Sequence, residues 1–164
     1  MKRLALRAAV LIGGLLAGYS PVSPGQQFRP PRYREDPRLL VLKDFFEDRG
    51  SPIGHLAKDF LLAADHHDLD WRLLPAIAVI ESGGGKQYRN NNLFGWDSGE
   101  EEFPTLGAGI HVVAERLANS NLYRNKDLDE MLETYNPLGS YPARVKSVMA
   151  RICRTPAFPS RCLD

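Results

Sequence analysis

The chain has 164 residues, 43% of them hydrophobic and 25% charged, with 21 Lys and Arg against 20 Asp and Glu. That length supports one domain with a real core and is short for two, and the composition is ordinary for a globular protein, so disorder is not the default reading. The near balance of charge supplies no basic field of the kind that draws a protein to nucleic acid, and no nucleic-acid partner is expected.

The chain opens "MKRLALRAAVLIGGLLAGYS", with Lys2, Arg3 and Arg7 ahead of an uncharged stretch from Ala8 to Gly18. This is the layout of a secretory signal peptide, and residues 1–20 are read as one; an uncleaved anchor is the alternative. The stretch is too short for an ordinary membrane-spanning helix, so no stable span is expected after cleavage. The cleavage point falls anywhere from about Ala17 to Ser23, because no clean small-residue site stands out. The expected location is secreted or periplasmic, in a bacterial envelope. Without the signal, 18 Lys and Arg face 20 Asp and Glu, so the mature protein is nearly neutral.

"SPVSPGQQFRPPRYREDPR" holds five prolines, and residues 21–35 within it read as an extended linker ahead of a domain at 36–164. Asp36 is a helix cap with Pro37 at the first position, and Leu39, Leu40, Leu42, Phe45 and Phe46 give an apolar face as far as Gly50. Ser51 and Pro52 repeat the start signal, and Ile53, Leu56, Ala57, Phe60, Leu61 and Ala64 carry the period to about His67. Asp70 opens "WRLLPAIAVIESG", apolar on every side, as a helix enclosed by the rest of a domain is. Pro75 inside it would cost on the order of 3 kcal/mol in a helix interior, so the regular helix is expected to start late or to kink there. The glycines after Ser82 end it.

"NNNLFGWDSGEEEF" has too few helical repeats and reads as a loop running into a short hairpin or irregular arm. Thr105 precedes a helix with Ile110, Val113, Ala114 and Leu117 on one face; Asp127 caps "LDEMLETY"; Ser140 starts "YPARVKSVMARIC", with Tyr141, Val145, Val148, Met149 and Ile152 inward. The expected class is mainly α, with five or six helices and a short hairpin or loop arm. Export also bears on Cys153 and Cys162, which flank "CRTPAFPSRC" at the end of the chain. A structural disulfide pinning the tail is the preferred reading over two free thiols. His55, His66, His67 and His111 have no thiolate or clustered acidic partner in the sequence, so neither a metal nor another cofactor is expected. The basic residues Arg144, Lys146, Arg151 and Arg154 suit a solvated face, or contact with an anionic wall polymer.

Glu81 is the unusual residue. A glutamate at the C-terminal end of a buried apolar helix meets two effects that disfavour its charge: desolvation, and the negative end of the helix dipole. A carboxylic acid that keeps its proton is what glycosidic cleavage needs, because the leaving sugar oxygen must be protonated as the bond breaks. Glycines after the acid would leave the adjacent backbone bare, with room for a chain of sugars. A glutamate pointing outward from a frayed helix end is the plainer reading.

"LLPAIAVIESGGGK", then "NNNLFGWDSG", then "YNPLGSYPARVKSVMARI" resemble the lysozyme-like peptidoglycan hydrolases, most closely the bacterial endo-β-N-acetylglucosaminidase family (mannosyl-glycoprotein endo-β-N-acetylglucosaminidase-like). The resemblance runs from about Ile53 to Ile152. It implies a lysozyme-like glucosaminidase domain that cleaves β-1,4 bonds in the glycan strands of peptidoglycan, with Glu81 as general acid. It further implies that Ser82, Asn92, Phe94, Tyr135 and Asn136 bind substrate. Amides hydrogen-bond sugar hydroxyls and acetamido groups, and aromatic faces pack on sugar rings. Among Asn90, Asn91 and Asn92 at least one is expected to be a turn former, Leu93 and Phe94 suit core anchors, and Tyr135 and Asn136 suit either a site wall or a helix end. The family's second acid lies in an arm that is short here. Asp97, Glu100, Glu101 and Glu102 are its candidates, and a solvated turn is the plainer reading of the three glutamates. If none serves, single-acid lytic transglycosylase chemistry is the alternative, although that group's "GLMQ"-like segment is absent; a wall-binding module without turnover is the rival from a different class. Oligomeric state is left open, with no sustained heptad to suggest a coiled coil.

Overall fold

The computed structural model describes residues 33–154. The expected signal peptide, most of the linker and Cys162 lie outside the described residues, and the proposed Cys153–Cys162 bridge lies outside them with Cys162. The described part is mainly α, with six α-helices and short 3-10 turns: α1 (Pro37–Asp48), α2 (Ala57–His66), α3 (Leu73–Ser82), α4 (Leu106–Asn119), α5 (Leu128–Tyr135) and α6 (Tyr141–Ile152). Among the described residues no helix is long and apolar enough to cross a membrane.

Local signals set most of the helix starts. Asp36 caps α1, its carboxylate accepting from the Arg38 backbone N–H at 2.9 Å. Thr105 Oγ1 accepts from Ala108 N at 3.0 Å at the head of α4, and Asp127 and Glu130 form a reciprocal capping box on α5. Each such cap is worth about 1 kcal/mol. α2 is preceded by a 3-10 turn at Pro52–Leu56, so the segment after Ser51 tightens before it becomes α-helical.

α3 begins late, at Leu73, which puts Pro75 in the first turn. There its missing N–H removes nothing, because the first amides of a helix have no partner within it. The turn before it is tied by Asp70, which accepts from Arg72 N at 2.9 Å and also pairs with the Arg72 guanidinium. Burial pushes the Asp70 carboxyl up, but these contacts outweigh it and hold it below its ordinary range.

The core gathers around α3. Leu73 to Val79 are buried without interruption, which explains the absence of a polar stripe on this helix. α3 packs on α6 and α2, α2 on α4 and α1, and α5 on α6. In α1 Leu39, Leu42, Phe45 and Phe46 are buried as expected, but Leu40 is 48% exposed and Val41 takes its place on the inward face. Packed structure also starts earlier than Asp36. Tyr33 is buried and donates to Asp65 Oδ2 at 2.9 Å, and Asp65 also accepts two 2.8 Å bonds from Arg38. Burial, then donation to Asp65, push the Tyr33 phenol up to about 12.

Between α3 and α4 the chain forms a loop arm. Among the described residues it contains no strand: a single antiparallel bridge joins Arg89 and Asn92, and a 3-10 turn covers Trp96–Gly99. The arm is therefore the irregular form of the two expected, and side-chain hydrogen bonds do the work a hairpin ladder would do.

Candidate functional site

Glu81 sits one residue from the end of α3, half-buried, at the edge of a cleft of about 460 Å³. The helix carries it out of the core because Gly83 takes a left-handed conformation (φ 63°) and stops the turn there. The cleft is walled by Trp96, Tyr123, Tyr135 and Asn136, with Asp97 and Leu122 at its margin.

One carboxylate oxygen is held. Tyr141, the first residue of α6 and fully buried, donates from its hydroxyl to Glu81 Oε1 at 2.7 Å. Burial and this bond both push the Tyr141 phenol up, so it remains a donor through the neutral range. The other oxygen faces Gly95. A Cβ built on Gly95 would lie 3.2 Å from Oε2, and the residue has φ 63°, so both its conformation and the space before the acid call for glycine.

An aromatic chain stiffens this wall. Tyr135 stacks on Tyr141 with centroids 5.8 Å apart and planes at 13°, and Trp96 meets Tyr135 edge-on at 5.7 Å. Tyr135 donates its hydroxyl to the Phe94 carbonyl, tying α5 to the arm. Its phenol is raised well above the ordinary range, first by burial and then by the negative charge of Glu81. On the far side Arg116 lies over the Trp96 ring at 5.3 Å while forking onto Glu101 at 2.7 and 2.9 Å.

The structure thus brings Glu81, Tyr135, Asn136 and Asp97 to one cleft. It places other candidates elsewhere. Ser82 is 2% exposed and its hydroxyl is engaged within the chain, donating to Ala78 O at 2.8 Å and accepting from Gly85 N at 3.1 Å. It closes the helix end and presents no surface to a sugar. Asn92, 3% exposed, is equally committed. Its amide donates to the carbonyls of Trp96 (2.9 Å) and Glu101 (3.1 Å), and its Oδ1 accepts from the amides of Phe94 (3.3 Å) and Trp96 (3.0 Å). Asn92 is the organiser of the arm, not a ligand contact. Phe94 lines the cleft at one edge, but its side chain is buried as a core anchor together with Leu93. Asn90 and Asn91 take positive φ, as turn-forming asparagines do.

The arm's glutamates are largely occupied or displaced. Glu100 pairs with Arg89, and the Arg116 fork holds the Glu101 carboxyl below its usual range. Neither they nor exposed Glu102 line the cleft, whereas exposed Asp97 does. The glycines after Glu81 also differ from expectation. A Cβ on Gly85 would meet Ile53 Cγ2 at 2.4 Å, so that glycine permits close packing under the helix end, and Gly95 keeps the space at the acid open.

Tyr141, Trp96 and Tyr123 were not among the sequence candidates. Tyr141 carried a usable signal. A tyrosine on an otherwise apolar helix face has a hydroxyl that needs a buried partner, and few polar groups are available inside this core.

No family model matches the chain, and no curated protein matches it. The chemistry of the cleft has to be argued from its own atoms.

Proposed function

We propose that the protein is an exported peptidoglycan glycosidase that cleaves β-1,4 bonds between N-acetylated amino sugars, with Glu81 as general acid. The observation that carries this reading is the placement of Glu81, with Oε1 fixed by Tyr141 and Oε2 open over Gly95 in an aromatic-walled cleft. The order of the apolar helix, Glu-Ser, Asn-Leu-Phe-Gly and Tyr-Asn in the sequence supports the same reading by its resemblance to the glucosaminidases.

In this mechanism protonated Glu81 gives its proton to the glycosidic oxygen as the bond from that oxygen to the anomeric carbon breaks; the oxygen departs with its sugar as a hydroxyl, and an oxocarbenium-like transition state develops on the ring that keeps the anomeric carbon. The aromatic wall packs against sugar rings, and Asn136 lines the same cleft while its Oδ1 accepts from Leu138 N at 3.1 Å, as in a turn-forming asparagine. Water then adds to the anomeric carbon, and its proton passes to a carboxylate, with Asp97 the other carboxylate in the lining.

A second reading has its own observation. With Glu100 and Glu101 tied to arginines, the cleft has one firmly held acid, which favours single-acid lytic transglycosylase chemistry, where a substrate hydroxyl attacks and an anhydro sugar forms. Mass spectrometry of fragments released from purified peptidoglycan tests both. Release by the unsubstituted protein and its loss in Glu81→Gln support the acid, and the reducing or anhydro ends separate hydrolysis from transglycosylation. Wall binding by both proteins with release by neither supports a binding module instead.

A further inference from the structure

A second groove, of about 480 Å³, runs between α3 and α6. Three arginines line it: Arg144 and Arg151 from α6, and Arg49 from the residue after α1, whose guanidinium lies over the Phe45 ring at 5.3 Å. Arg144, Ser147 and Arg151 follow one another at helical spacing, so α6 presents them as one stripe. Arg38, Arg72, Arg89 and Arg116 each have a carboxylate partner, whereas none of Arg49, Arg144 and Arg151 forms an ion pair among the described residues. No acidic side chain lines the groove. Its floor is apolar, formed in part by Ile80 and Val148.

We propose that this groove binds the acidic peptide that branches from the glycan strand, so that the protein selects strands that still carry their peptides. The inference rests on the peptidoglycan reading of the Glu81 cleft. Position supports it: Arg144 lies one turn after Tyr141 on α6, close enough for its charge to act on the Tyr141 phenol that holds Glu81, so the groove is formed by the same pair of helices that holds the acid. Chemistry supports a peptide over a phosphate polymer. Guanidinium groups fork onto carboxylates, and the apolar floor between them suits methyl-bearing residues, which a polyol phosphate chain lacks.

The test compares kcat/KM for fragment release from peptide-bearing glycan strands and from the same strands stripped of peptide by an amidase. It uses the full chain and its Arg144→Gln/Arg151→Gln variant. Both arginines are exposed, so the variant should unfold at the same temperature as the parent. The parent is expected to prefer peptide-bearing strands by about five-fold, the size that two partly solvated charge pairs supply, and the variant to lose that preference through KM with kcat unchanged. A parent with no preference, or a variant that keeps it, overturns the groove assignment while leaving the glycosidase intact. So does competition by a glycerol-phosphate polymer that acts equally on both strands and disappears in the variant. Release from neither substrate overturns the glycosidase reading and this inference together.

Discussion

Tyr141 and Glu81 lie 60 residues apart in the chain, and the phenol of one donates to the carboxylate of the other at 2.7 Å. The contact joins the start of α6 to the end of α3, so the packing of these two helices also sets the acid's direction. Tyr141→Phe keeps the buried ring and its stack on Tyr135 and removes only the donor. A hydrogen bond accepted by the protonated acid is worth about 0.5 to 1.5 kcal/mol, so fragment release should fall by roughly two- to ten-fold as the acid loses its orientation. The fold should persist, as circular dichroism would show; an unchanged release rate would remove Tyr141 from the mechanism.

Gly95 makes a sharper test of the open face. Gly95→Ala introduces a methyl at a backbone position of φ 63° and 3.2 Å from Glu81 Oε2. The strain should cost about 1 kcal/mol of stability. Because the methyl also stands in the path of a substrate oxygen approaching the acid, release should drop by more than ten-fold. A thermal melt alongside the rate separates the two effects, and a rate loss no greater than the stability loss predicts would mean that nothing approaches Oε2 from that side.

The four acidic residues of the arm should divide cleanly. Glu100→Gln, Glu101→Gln and Glu102→Gln are each expected to leave the release rate within about two-fold, since their charges are paired at the surface or exposed. Asp97→Asn is expected to lower it, because Asp97 shares the cleft lining with Glu81. Full activity in all four, with anhydro ends on the products, would move the chemistry to the single-acid alternative.

What could be read in the sequence was local. Asp36, Thr105 and Asp127 act within a few residues of themselves, so their caps were legible, and Pro75 announced its own late helix start. Glu81 was legible because a charge at the end of a uniformly apolar helix conflicts with its surroundings. Its pairing with Tyr141 was not, since a buried tyrosine hydroxyl signals the need for a partner without saying which one, and only the packing of α6 on α3 brings it to the carboxylate. The same holds for the arm. Nothing in a run of three glutamates shows that Arg116, 15 residues on, takes Glu101. The structural engagement of Ser82 and Asn92 was hidden for a related reason: small polar residues beside a site can bind a ligand or hold the backbone, and sequence alone does not show their burial.

Asn92 offers the clearest measurement of that distinction. Its side chain makes four hydrogen bonds to backbone groups of the arm at 3% exposure. Asn92→Ala strips partners from the carbonyls of Trp96 and Glu101 and the amides of Phe94 and Trp96, and should cost roughly 2 to 4 kcal/mol. The loss should concentrate in the arm, so hydrogen exchange of the Phe94 and Trp96 amides should accelerate more than that of α3. A residue that bound sugar would behave in the opposite way, raising KM with little change in the melting temperature. Asn92→Asp keeps the Oδ1 acceptor but turns a carboxylate oxygen toward the carbonyls of Trp96 and Glu101 in a buried site, so it should destabilise the arm at least as much as Asn92→Ala at neutral pH. An intact melting temperature in both variants would return Asn92 to the list of substrate contacts.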